Sequence, residues 1–234
     1  MADLAWPDAL APFRVSFYLQ PHVGGTESPL TRTRKTYGLS APRWVCRMSF
    51  RGGYDGHAGI AAYGPRLDAL IAQLEGGLNR VGLWDFRRPY PVALRRYYRQ
   101  FAGETYTFGL GETFELGEKF VIPAEAEPSN EAADAGASEI VFTGFKPGER
   151  VFQWGDYFGG DGRVHMVLTE VYADQDGRAR ATFKPPLQTD MLPGSAITMQ
   201  PKSLFQLTSI DAGENETEVG QLSTYQLAFV EDWS

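Results

Sequence analysis

Residues 63–86 read YGPRLDALIAQLEGGLNRVGLWDF, and they ask for the one long helix in a chain that otherwise reads as strands and turns. Pro65 suits a first helical position, where a missing N–H costs nothing. Leu67, Leu70, Ile71 and Leu74 recur at i, i+3, i+4 and i+7, which places them on one face. Gly76-Gly77 offers the left-handed backbone that stops a helix. The chain then resumes as a strand over 79–86, with Val81 and Leu83 on one side and Trp84 and Phe86 on the other. A helix with one apolar stripe needs a sheet beneath it, and the strands around Trp44 and Trp84 are the expected ones.

Upstream, Phe13, Val15, Phe17 and Leu19 alternate with Arg14, Ser16, Tyr18 and Gln20, the period of a half-buried strand. Residues 22–29 read as a turn-rich loop. The segment TRTRKTY (31–37) reads as a solvent-edged strand whose cations discourage edge pairing. Trp44, Cys46, Met48 and Phe50 alternate with Val45, Arg47, Ser49 and Arg51, a second amphipathic strand. Downstream of the helix, 105–122 looks like a strand pair broken by glycines. PAEAEPSNEAADAGAS (123–138) has no large apolar residue and reads as an acidic linker or mobile loop.

Beyond 138 the pattern is regular: strands over 139–145, 151–154, 164–172, 178–185, 196–199, 204–208 and 224–230. The turn DQDG (174–177) carries the Asp-Gly pair of a tight hairpin. Turns about every ten residues argue for a sandwich or barrel. The expected fold is therefore mostly β: a β-sandwich or barrel with one flanking α-helix, plus a second, smaller β domain. The expected boundaries are 1–122 for the first domain, including an Arg/Tyr-rich insertion over 87–122, then the linker 123–138, then 139–234.

The 234 residues can bury a sizeable core. Cys46 is the one cysteine, which excludes an intrachain disulfide and a cysteine-based zinc site. The first residues lack a signal-peptide pattern, and no apolar run approaches a membrane span; folding in a reducing cytoplasm, without membrane insertion, is the expectation. The net charge of −7 splits into +4 over residues 1–122 and −11 over 123–234. So acidic a chain is a poor general nucleic-acid binder, although one basic face is compatible with it.

No catalytic constellation emerges, and the chain is expected not to be an enzyme. His22, His57 and His165 lack metal-ligand spacing. Asp55 and His57 share a glycine-rich loop, where a surface loop is the simpler reading; with Asp161 they make the rival case of a metal-dependent hydrolase. The 174–177 turn echoes a calcium loop but lacks its distal glutamate. Neither GLGE nor GGDG has the lysine and helix of a phosphate loop. No catalytic residue, metal ligand or cofactor is assigned. The segment least easily dismissed holds Arg87, Arg88, Arg95, Arg96 and Arg99 among Tyr90, Tyr97 and Tyr98. Arginine and tyrosine are enriched in subunit contacts and also track nucleic-acid backbones. With Arg34 and Lys35, the residues Arg87, Arg88, Arg95, Arg96, Tyr97 and Arg99 are the expected interface set.

The order of motifs carries a resemblance. WVCRMSF, a glycine-rich loop, PRLDALIAQLEGG and LNRVGLWDFRRPYP are followed by Pro147-Gly148, Gly155-Asp156, Ala173-Asp174, Gly177, Pro185-Pro186-Leu187 and Phe205-Gln206-Leu207. Together they resemble the distal tail proteins, structural proteins of the tail tip, or baseplate, in long-tailed phages (siphophages) and gene-transfer agents. The resemblance implies a virion structural protein, assembled in the host cytoplasm, that forms a homo-oligomeric ring, commonly a hexamer. It implies contacts with the tail tube protein, the baseplate hub protein and a tail fibre or receptor-binding protein, and DNA met only in passage during genome ejection. The segment 92–118 is an insertion relative to the family form. A carbohydrate- or receptor-binding module of the tail tip is the alternative, with Trp154, Tyr157 and Phe158 as stacking aromatics.

Overall fold

In the computed structural model, the described residues are 1–7, 9–54, 56, 59–88, 129–195, 197–198, 200–212 and 222–232. They are mostly β, with one α-helix and a second, smaller set of sheets. Two compact units emerge: Met1–Pro89 with Gly162–Val164 and Pro201–Ser234, and Tyr90–Asp161 with His165–Gln200. The sequence reading of 105–122 as a strand pair lies outside the described residues.

The first unit is built on a six-stranded sheet. Its strands are β1 (Asp3–Ala5), β2 (Arg14–Glu27), β3 (Arg34–Gly52), β4 (Arg80–Leu83), β12 (Ser203–Leu207) and β13 (Ser223–Glu231), in the order β1-β4-β12-β13-β3-β2. Only the β1–β4 pair is parallel. The alternation at 44–50 predicts one buried face, and Trp44, Cys46, Met48 and Phe50 are all buried there. Phe17 stacks on Trp44 with ring centroids 4.8 Å apart, and Trp6 stacks on Phe50 at 5.8 Å. Each such aromatic contact adds about 0.5–1.5 kcal/mol beyond area burial.

Helix α1 (Tyr63–Leu74) buries Leu67, Leu70 and Leu74, while Ile71 is half-buried at the edge of the stripe. Pro65 is the third helical residue rather than the first, still inside the turn whose N–H groups have no helical partner. The helix ends as Glu75 and Gly76 turn left-handed, at φ 47° and 63°. Gly64 makes the close approach possible: a Cβ there would lie 2.9 Å from the Gly53 carbonyl oxygen. Asp68, one helical turn further on, accepts from the hydroxyls of Tyr54 at 2.9 Å and Tyr225 at 2.8 Å, which ties the helix to β13.

The second unit has a five-stranded sheet, β5 (Ser129–Asn130), β6 (Glu139–Thr143), β11 (Ala179–Lys184), β9 (His165–Val167) and β8 (Tyr157–Phe158), in the order β5-β6-β11-β9-β8. A two-stranded sheet pairs β7 (Arg150–Phe152) with β10 (Val171–Tyr172). Its core joins Phe142, Phe152, Phe158 and Phe183 with Val151, Val167 and Leu187. The expected turn at 174–177 is present. The Asp174 carboxylate accepts from the backbone N–H groups of Asp176 and Arg178, at 2.9 and 2.8 Å, and Gly177 has φ 73°.

Three expectations differ from what is found. First, the strands at 204–208 and 224–230 do not join the domain that precedes them in sequence. They fill the middle of the first sheet, where β13 pairs with β3 from Val45↔Val230 to Gly52↔Ser223. Second, the acidic stretch is not a linker over 129–138. Ser129–Asn130 pairs with β6, Ala133 bridges Met191, and Gly136 N–H donates to the Leu187 carbonyl at 2.9 Å. Small residues cannot form a core, but they can edge one, because backbone hydrogen bonds need no side chain. The remainder of the expected linker, 123–128, lies outside the described residues. Third, 164–172 is not one strand. β9 pairs with β8 and β11, whereas β10 pairs with β7 after a register shift. The alternation breaks with the strand: His165, Val167 and Val171 are buried, but Thr169 between them is exposed and Val164 is buried.

Candidate functional site

The most prominent exposed element is the outer part of the β2–β3 hairpin. Pairing continues past a bulge at Gln20–Val23 to Glu27↔Arg34, so the predicted loop at 22–29 is largely strand. β3 pairs with β13 only over 45–52, so its other edge from 34 to 44 has no strand neighbour among the described residues. Nearly every residue of 22–40 is exposed, whichever face of the ribbon it is on. Val23, Tyr37 and Leu39 are each more than half exposed, and Leu30 at the tip is 94% exposed. A Cβ on Gly24 would meet the Tyr37 ring at 2.8 Å, so that ring lies across the glycine of its paired strand. Such aromatic cover stabilises a glycine-containing ribbon. The arm also carries Arg32, Arg34 and Lys35 against Glu27. Arg34 and Lys35, two of the expected interface residues, thus project on an arm with no core beneath it.

Arg87 and Arg88 follow β4, where the chain leaves the strand. Arg87 forms a forked pair with Asp85, with Nε and Nη2 each 2.8 Å from a carboxylate oxygen, and donates to the Phe17 carbonyl at 2.8 Å. Asp85 is buried, and Arg88 Nε lies 3.7 Å from it. Half of the Arg87 side chain is exposed, but its guanidinium holds the outer edge of β2. Its first role is therefore inside the unit. Beneath lies the Cys46 thiol, pushed up to about 12, chiefly by burial and secondarily by the Asp85 charge. Such a thiol is not a nucleophile at neutral pH. Arg95, Arg96, Tyr97 and Arg99 lie outside the described residues.

Two buried polar clusters organise the rest. In the first unit, Arg163 meets Glu231 with Nε and Nη2 each 2.9 Å from a carboxylate oxygen, and donates to the Pro42 carbonyl at 2.7 Å. Glu231 also accepts from Trp44 N–H at 2.9 Å. Trp44 Nε1 donates to the Val164 carbonyl at 2.7 Å, and Val164 N–H donates to Ser203 Oγ at 2.8 Å. Residues Gly162–Val164 are thereby stapled to the six-stranded sheet. In the second unit, His165 Nδ1 is 2.8 Å from the Pro185 carbonyl and Nε2 is 2.8 Å from Asp161, whose other oxygen accepts from Gln188 N–H.

These clusters are saturated, and that bears on the hydrolase rival. Asp161 is fully buried and engaged at both oxygens, while Asp55 and His57 lie outside the described residues. Among the described residues no three His, Cys, Asp or Glu side chains converge as a metal site. The stacking triad of the carbohydrate alternative is corrected: Trp154 is 71% exposed, but Tyr157 and Phe158 are buried in the second unit. Phe158 stacks instead on His165 at 5.2 Å. No described helix is long and apolar enough to cross a membrane.

Sequence reasoning missed the outward face of β2 and β3. There Phe13 and Tyr18 are exposed beneath arginines: Arg51 lies 5.0 Å and Arg14 6.0 Å from the Phe13 ring, and Arg47 lies 6.0 Å from Tyr18. The signal was present as arginine at every fourth position of β3, at 43, 47 and 51. No protein-family model matches the chain, and no curated protein matches it.

Proposed function

We propose that the chain is a structural ring subunit of a phage-type tail tip, joining tail tube to baseplate hub around the DNA-ejection channel, and that it is not an enzyme. The observation that carries the reading is the two-stranded arm at 22–40. It has exposed apolar side chains on both faces and no core of its own. Isolated hairpins are marginal in water, so such a ribbon gains stability when a partner chain covers it. A ring needs an element that reaches from one subunit onto a different surface of the next, because heterologous contacts close into rings. The order of sequence motifs supplies the tail-tip context; the β-rich scaffold is compatible with it and the saturated polar clusters suit a rigid joint.

The test is a paired substitution on the arm, Leu30→Ser with Leu39→Ser, followed by sedimentation velocity. Both side chains are exposed, so the unfolding midpoint should stay near that of the parent while the oligomer dissociates. An oligomer that forms as well in the double variant as in the parent would remove the arm from the interface and the reading with it.

A further inference from the structure

We propose that the outward face of β2 and β3 is a phosphate-backbone binding face, whose ligand is a nucleic-acid strand. Register places Arg14, Ser16, Tyr18 and Gln20 of β2 beside Ser49, Arg47, Val45 and Arg43 of β3, and Arg51 beside Thr224 of β13. Arg14, Arg43, Arg47 and Arg51 are all exposed. None of them makes an ion pair with an acidic side chain among the described residues. The outward positions of β2, β3 and β13 across this paired region hold no Asp or Glu: Glu231 points inward to Arg163. Asp3 lies on the far edge strand β1, whereas Asp232 directly follows β13, the neighbour of β3; Arg80 holds both carboxylates.

Four positive charges that no described acidic side chain pairs with therefore share one sheet face of a chain whose net charge is −7. Complementarity calls for a dense polyanion. The row Arg43, Arg47, Arg51 repeats every four residues, about 13 Å along the strand. That makes a straight positive track of roughly 26 Å. Phe13 and Tyr18 hold the Arg14, Arg47 and Arg51 guanidinium groups by cation–π contacts, which orient them without neutralising them, and Arg43 donates to the Gln20 side-chain oxygen at 3.3 Å. Arginine fixed over a flat surface and interleaved with small polar residues suits phosphate oxygens, which are met by position rather than by base sequence. The inference stands apart from the ring reading, since a monomer would carry the same face.

The test is fluorescence anisotropy of the purified full chain with two probes, an oligothymidylate strand and a mixed-sequence duplex, from about 50 to 200 mM salt. If all four arginines meet phosphates, duplex affinity should fall about 150-fold over that range, from a slope near −0.9 per contact. Single-strand affinity should fall about 50-fold, from a slope near −0.7 per contact. In R14Q/R47Q/R51Q the falls should shrink to about fourfold and threefold. An unchanged unfolding midpoint shows that the variant is folded. The probe with the tighter binding identifies the preferred form of the strand. A salt slope near zero, or a triple variant that binds like the parent, overturns the proposal. So does salt-sensitive self-association without binding of either probe, which would make the face a contact between copies.

Discussion

Glu231→Ala is the most informative single substitution in the first unit. Glu231 and Arg163 are almost completely buried, with side-chain exposures of 1% and 3%. Removing the carboxylate takes away the charge paired with a buried guanidinium. Breaking one side of a buried pair costs about 3–5 kcal/mol. Trp44 N–H loses its acceptor as well, adding roughly 1 kcal/mol. Taking about 4 kcal/mol and a urea dependence of about 2 kcal/mol per molar, the midpoint of the first unit should fall by about 2 M. The readout is tryptophan fluorescence, since Trp6, Trp44 and Trp84 belong to that unit. The companion variant R163M/E231L removes both charges and should recover most of the loss, because an apolar replacement of a whole buried pair is often neutral or better. If Glu231→Ala shifts stability by less than about 1 kcal/mol, or the double variant is no better than the single, the pair is not the staple described here.

Other consequences follow from the same packing. Leu70→Ala, on the buried stripe of α1, should cost about 2–5 kcal/mol in denaturant unfolding. Leu70→Asp should abolish folding of the first unit and assembly together; loss of assembly with the fold retained would put the helix in the interface instead. Gly64→Ala pits a helix-propensity gain of roughly 1 kcal/mol against an overpacking cost of about 1–3 kcal/mol at the Gly53 carbonyl; calorimetry should show a lower melting temperature. Cys46 should resist thiol reagents at pH 8 until the chain unfolds. Its folded pKa is about 12 against an ordinary value of 9.0, so the folded state keeps a proton that the unfolded state releases. That stabilisation is complete below pH 9 and is lost as pH rises towards 12. Cys46→Ala should flatten the decline of the unfolding midpoint over that window.

What could be read from the chain followed from local period. The helix at 63–74 and the strand through Trp44 and Phe50 were legible because burial on one face writes itself into spacing. The 174–177 turn was legible because the left-handed residue must suit glycine. Membership of a sheet is not local. Nothing in Ser203–Leu207 or Ser223–Glu231 says that they pair with β4 and β3 rather than with the strands just before them. Three-residue β1 carries too little pattern to read, although Trp6 and Leu10 beside it are buried. The hairpin arm was half visible. TRTRKTY read as a solvent-edged strand, but Pro21, Gly24 and Gly25 made its partner look like a loop. Arg87 read as an interface residue because Asp85, two residues earlier, gave no sign of being buried. The basic face went unremarked because its arginines come from two strands and meet only through register.

The most direct measurement is the native mass of the full chain over a wide concentration range, by mass photometry and native mass spectrometry. A ring subunit should give one closed species of fixed stoichiometry, expected to be a hexamer, with no larger ladder. A strictly monomeric protein at high concentration, or an open series that grows with concentration, would contradict the account.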